Sequence, residues 1–193
     1  MIVVVDSTAL CLLVNPSANP PDDPSTGRPV VQARDRVERM ISELGANGTL
    51  IIPTPVLAEV LVRAEAGASA IVAELERLSR VRVKPFDQRA AIETAIMTGE
   101  AIRAGDKRGG STDAWQKVKV DRQIVAIART NNATRIYADD RALVAFARRL
   151  GMDVVSTWEL ALPETEENLF TANGLRPDGS DDFHADDAIG EMS

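Results

Sequence analysis

Residues 118–143 read VKVDRQIVAIARTNNATRIYADDRAL. The spacing predicts a helix beginning near Asp121, a turn at Thr130-Asn131-Asn132, a short strand through Ile136 and Tyr137, and a second helix after Asp139-Asp140. Acids therefore open both helices. In a parallel α/β sheet a helix start lies beside the carboxyl end of a strand, where such folds bind ligands. Asp121 and one of the Asp139/Asp140 pair are thus expected on one rim.

Working outward, Met1 to Val5 is an unbroken apolar run with three valines, as a buried parallel strand requires. Asp6 ends it, and Asp6 or Ser7 caps a short helix to Val14. Residues 15–29 carry five prolines and are expected to form a long surface loop without regular structure. Helical spacing over 30–44 stops at Gly45, a strand over 50–52 follows the Asn47-Gly48 turn, and Thr54 should cap a helix with Pro55 at its first position. That helix carries Glu59. Further helices are predicted over 68–78 and 87–103, the latter turning Ala91, Ile92, Ala95, Ile96 and Ile102 to its apolar side. Short strands are predicted over 81–83 and 154–155, and residues 105–112 form a locally basic, flexible loop. Five short strands separated by helices predict a three-layer α/β/α fold on a central parallel sheet.

The composition narrows the chemistry. Cys11 is the only cysteine, which excludes an internal disulfide and a cysteine zinc cluster, and His184 is the only histidine. Nucleophilic triads and histidine-ligated transition metals would rest on that one residue. Carboxylates, hydroxyls, lysines or a hard metal ion remain. The net charge of −7 is unevenly spread. Residues 1–162 hold 21 Lys/Arg against 20 Asp/Glu, whereas residues 163–193 hold one Arg against nine acids. The division predicts one domain over 1–162 and an acidic, disordered tail over 163–193. The balanced body is compatible with a nucleic-acid substrate. No apolar run approaches the roughly 18 residues of a membrane span, and no basic n-region precedes the apolar start. A cytoplasmic chain with no membrane partner is expected.

Asp6, Glu59, Asp121 and Asp140, with Asp139 beside it, follow strands at one end of such a sheet. Taken singly, each has a structural role open to it: a helix cap for Asp6 and Asp140, an i,i+4 pair with Arg63 for Glu59, a favourable helix dipole for Asp121. Together on one rim they repel one another and call for protons or a cation. Oxygen-only ligands suit Mg²⁺ or Mn²⁺, which can activate water for in-line attack on a phosphodiester.

Four stretches resemble the PIN-domain nucleases: VVVDST at the amino terminus, IPTPVLAEVL around Glu59, VKVDRQIVAIA around Asp121, and IYADDRAL followed by FARRLGMDVV. The resemblance covers roughly residues 2–160. It implies a compact α/β/α domain whose acidic pocket binds Mg²⁺ or Mn²⁺ and cleaves RNA. Asp6, Glu59 and Asp121 match the first three family acids, and Asp140 the fourth, with Asp139 as the alternative. Asp6, Asp121 and Asp140 would hold the ion, with Glu59 joining the metal site through a metal-bound or attacking water. Ala138 stands where the family often has a hydroxyl, so any help in holding water or metal must come from elsewhere, with Ser7 and Thr8 as candidates. Many small bacterial PIN proteins are VapBC-type toxins, which implies an antitoxin protein as partner and allows a homodimer. Lys107, Arg108, Lys117 and Lys119 are candidates to meet RNA phosphates, and Trp115 to stack on an unpaired base.

Other folds fit less well. A dehalogenase-like phosphatase needs an acid where Thr8 stands, a phosphoreceiver needs one where the third strand ends in Lys84-Pro85, and DSTAL is not a dinucleotide-binding glycine turn. The competing function is a PIN-like module that binds RNA or protein without cutting.

Overall fold

The structure, a computed structural model, describes residues 1–162. The acidic tail at 163–193, and the disorder expected of it, lie outside the described residues. The chain runs β1 (Ile2–Val5), α1 (Ser7–Val14), β2 (Asp22–Asp23), β3 (Arg28–Pro29), α2 (Ala33–Glu43), β4 (Thr49–Pro53), α3 (Thr54–Ala64), α4 (Ala68–Arg77) and β5 (Val81–Lys84). It continues through α5 (Gln88–Arg103), α6 (Trp115–Thr130), β6 (Arg135–Tyr137), α7 (Arg141–Arg149) and β7 (Asp153–Val155), with 3₁₀ turns at Glu65–Gly67 and Thr157–Glu159.

Five strands form one parallel sheet in the order β5-β4-β1-β6-β7, flanked by helices in the expected three-layer α/β/α arrangement. The central place of β1 follows from its side chains, since Val3, Val4 and Val5 are fully buried. Val4 lies between Ile51 of β4 and Ile136 of β6. The sheet grows from β1 outward through β4 and β5, then resumes on the other side with β6 and β7. That reversal opens a crevice at the carboxyl ends of β1 and β6. Asp6 follows the first of these strands, and Asp139-Asp140 follows the second.

Several local expectations are corrected. Helix α6 starts at Trp115, so Asp121 sits in its second turn instead of opening it. No glycine or proline interrupts residues 115–120, and burial of Val118 extends the helix backward. Residues 15–29 are not wholly irregular: β2 and β3 pair antiparallel, Asp23 Oδ1 accepts the Ser25 amide at 2.8 Å, and Gly27 turns the chain at φ +66°. Helix α2 begins only at Ala33, because Gln32 is left-handed at φ 53°. Thr54 does not cap α3; its hydroxyl oxygen accepts the Phe86 amide at 3.1 Å, tying α3 to the end of β5. On α5 the expected inward stripe is turned outward, with Ile92, Ile96 and Ile102 about half exposed while Ala90 and Met97 face the core. The helix has apolar residues on more than one side, and the Glu93–Arg129 pair at 2.7 Å fixes the side that meets α6. Among the described residues no helix is long and apolar enough to cross a membrane.

Candidate metal centre

The turn between β6 and α7 sends its two aspartates in different directions. Asp140 caps α7, its Oδ1 accepting the Ala142 and Leu143 amides at 2.9 Å each, which leaves Oδ2 facing outward toward Lys117 Nζ at 2.7 Å. Asp139 instead accepts the Thr157 amide (2.7 Å) and the Thr157 hydroxyl (2.6 Å), joining the turn to the 3₁₀ segment after β7. Beneath them Asp6, only 3% exposed, accepts the Ala9 amide on Oδ1 and the Asp139 amide on Oδ2, both at 2.8 Å. It caps α1 and pins the β6–α7 turn with the same carboxyl group.

Asp113, Asp121 and Asp140 each bring one carboxylate oxygen within 4.8 Å of the others. Asp113 was missed from the sequence. The available signal was Lys117-Asp121, four apart on one helical face, with Asp113 a further four residues back, just before the helix. Lys117 was expected to meet phosphate, but its ammonium sits among the acids, 2.8 Å from Asp113, 3.6 Å from Asp121 and 2.7 Å from Asp140. One ammonium against three carboxylates leaves negative charge uncompensated.

The protonation equilibria reflect this crowding. Burial raises the Asp121 carboxyl to about 6; Lys117 opposes the rise, while the charges of Asp140 and Asp113 add to it. Burial also acts to raise Asp140, but the Lys117 ammonium and the capping amides outweigh it and hold this carboxyl below its usual range. Burial would lower Lys117, yet its bonds to Asp113 and Asp140 raise it instead. Asp6 is pushed up to about 7 by burial and then by the charge of Asp139, against the amides of Ala9, Asp139 and Asp140. Asp139 is raised by burial despite its two bonds from Thr157.

The remaining sequence candidates are dispersed. Glu59 is exposed on α3 and paired with Arg63 at 2.5 Å, outside the three-acid group. The Lys107 ammonium lies 4.2 Å above the Trp115 ring, whose other neighbour is the Arg122 guanidinium at 5.3 Å. Arg108 lines the groove that opens onto the acids; Lys107, Trp115 and Lys119 do not. Near Ala138, buried Ser156 donates its hydroxyl to the Ala138 carbonyl at 2.7 Å. The structure also reveals Arg122, 1% exposed, with Nη1 donating to Thr98 Oγ1 at 3.0 Å and Nη2 to the Lys107 carbonyl at 2.6 Å.

The donor set fits a hard divalent cation. It offers only oxygen atoms, and the Lys117 ammonium already occupies, as a stand-in cation, the space that three carboxylates surround.

Comparison with solved structures identifies the fold. A chain of VapBC-1 from nontypeable Haemophilus influenzae matches with a TM-score of 0.53 and 18% identity, covering 81% of this chain and 98% of that one. A chain of VapBC2 from Rickettsia felis bound to a DNA fragment from their promoter matches at 0.52 and 15%, with the same coverage. DNA-bound VapBC from Salmonella typhimurium matches at 0.51 and 17%, again over 81% of this chain and 98% of that one. No family model matches the sequence, and no curated protein does. The fold of this chain is the three-layer α/β/α PIN-like fold of VapC-type proteins.

Proposed function

We propose that this chain is an endoribonuclease dependent on Mg²⁺ or Mn²⁺, acting as the toxin of a toxin–antitoxin pair. The observation that carries it is the Lys117 ammonium seated among Asp113, Asp121 and Asp140 at the crevice beside β1 and β6. Acids that hold one cation so closely are built to hold another. The structural neighbours are VapBC complexes, which supports an antitoxin protein as partner.

In this reading Asp121 and Asp140, joined by Asp113, hold the ion. Held by these residues, a divalent ion would supply the positive charge needed to activate water and to offset charge on the departing oxygen of a phosphodiester. Asp6 positions Asp140 by fixing the turn from below, a role set by its two amide bonds. Asp139 braces the same turn through Thr157. Lys117, once displaced from the carboxylates, is free to face the phosphate. Glu59 holds the attacking water after its pair with Arg63 opens.

The test is cleavage of a mixed pool of structured and unstructured RNA by the purified protein in Mn²⁺ and in Mg²⁺, with EDTA and Asp121→Asn controls. Cutting that both controls abolish supports the proposal. The rival, a PIN-like module that binds RNA or protein without cutting, draws on the same lysine, because Lys117 already pairs with all three acids in place of an ion. Tight binding with no metal-dependent cleavage would favour it.

A further inference from the structure

The acids occupy one end of an open groove of about 550 Å³. That volume lies within the range of pockets that enclose small organic ligands, and it suits a nucleotide unit better than a duplex. Its other end is basic. The loop between α5 and α6 supplies Arg108 and the last turn of α7 supplies Arg149, whereas Arg141 follows Asp140 at the acidic end. Between the two ends runs an apolar strip of α7, with Ala142, Ala145 and Phe146 recurring at helical spacing.

None of these three arginines has a carboxylate or carbonyl partner among the described residues. Elsewhere Arg63, Arg129 and Arg135 each hold an acid, and Arg148, next to Arg149, is bound to Glu159 and to the Val154 carbonyl, while Arg28, Arg89 and Arg103 are unpaired among the described residues at separate places outside the groove. Three unneutralised guanidinium groups thus line this one groove. Behind the groove the buried Arg122 guanidinium lies 5.6 Å from the Phe146 ring, bonded only to neutral acceptors, with its Nε unpartnered. A buried cation without a contacting acid adds positive field where solvent screens it little.

The loop is shaped around Arg149. Gly109 and Gly110 are both left-handed, at φ +63° and +74°. A Cβ on Gly109 would come within 2.9 Å of Arg149 Nη2, so the guanidinium rests against the loop and would be displaced by a side chain there. Its other neighbour is the Phe146 ring, 6.0 Å away.

We infer that the basic end of this groove is a nucleotide subsite, in which Arg149, aided by Arg108, binds the phosphate next to the scissile one. The base or sugar between the two phosphates lies over Ala142, Ala145 and Phe146, a contact open to unpaired strands of any sequence. This rests on the nuclease proposal for the identity of the strand. The subsite itself needs no metal.

The experiment measures binding of a fluorescein-labelled ten-residue oligouridylate to the full chain in EDTA, by anisotropy, across a salt series. Arg149→Gln is expected to weaken binding about tenfold and to flatten the log K against log salt slope by about 0.7, the value for one lost single-strand phosphate contact. Gly109→Ala, which moves Arg149 without removing its charge, should weaken binding several-fold. Arg148→Gln removes an equal charge one residue away and should change it less than twofold. Equal losses for Arg148→Gln and Arg149→Gln, or no loss for Arg149→Gln, overturn the subsite. Equal binding of an oligoglutamate of matched charge also overturns it, in favour of a general anion patch. Arg149-dependent binding without metal-dependent cleavage leaves the subsite standing and removes the nuclease. Cleavage and binding that ignore Arg149 do the reverse.

Discussion

Replacing Asp121 with asparagine should stabilise the metal-free protein at alkaline pH. The Asp121 carboxyl ionises at about 6 in the folded chain, against an ordinary 3.8, with burial as the chief cause. Its side chain is 11% exposed, so solvent screening removes little of the effect. Because the folded state holds this proton more tightly than the unfolded state, the associated stability is fully present below pH 4 and is lost as pH rises through 6. The loss is about 3 kcal/mol at 1.36 kcal/mol per tenfold change in proton affinity. Asparagine carries no such cost. At pH 8 in EDTA, Asp121→Asn should therefore exceed the parent by up to about 3 kcal/mol, or about 6–12 °C in Tm for a domain of this size. At pH 4 the two should converge. Calorimetric melts at both pH values measure this directly, and adding Mn²⁺ at pH 8 should raise the Tm of the parent but not of the variant. An Asp121→Asn protein that melts at or below the parent at pH 8 in EDTA would refute the reasoning, because the site would then carry no repulsion for a cation to relieve.

Lys117→Met should raise Mn²⁺ affinity at least tenfold by isothermal titration calorimetry, since the ion no longer displaces an ammonium; Lys119→Met, the charge control, should change it less than twofold, and equal effects would remove Lys117 from the centre. Glu59→Gln should abolish RNA cleavage with Mn²⁺ affinity kept within twofold, and undiminished cleavage would take Glu59 out of the mechanism. Thr157→Val, which deletes the hydroxyl donated to Asp139, should cost about 1–2 kcal/mol in urea melts; no change would mean that water replaces the hydroxyl at no cost.

The sheet was legible because β1 is three consecutive valines and because β-branched or apolar runs recur between helical segments. Burial on both faces leaves that kind of mark. The acids at the ends of β1 and β6 were legible for a related reason, since each ends a strand and caps a helix, and the cap chemistry is local. What did not show was how acids group in space. Asp113 lies before α6 and looks like one more loop residue, and only the backward extension of α6 to Trp115 brings Lys117 between it and Asp121. Glu59 matched its motif, yet its side chain pairs with Arg63 on an exposed helix face, a choice made by rotamers that a motif does not specify. Arg122 reads as a surface residue in sequence, and only the packing of Trp115 and Phe146 explains its burial. The outward isoleucines of α5 were misread because apolar spacing does not say which of two apolar sides a helix buries.

The central position of β1 governs the order in which this molecule can be completed. Asp6 and the Asp139 amide it binds are 133 residues apart. At roughly 5–20 residues per second, translation delivers the second partner roughly 7–27 seconds after the first. Once residues 49–53 have followed, β1 can pair with β4, but it must leave its other edge open until β6 arrives, and Asp6 has no turn above it until Asp139 is made. Sheet closure and assembly of the acidic centre thus become a single late event. A ribosome-bound chain that ends before β6 has an exposed strand edge to protect and no complete centre with which to act.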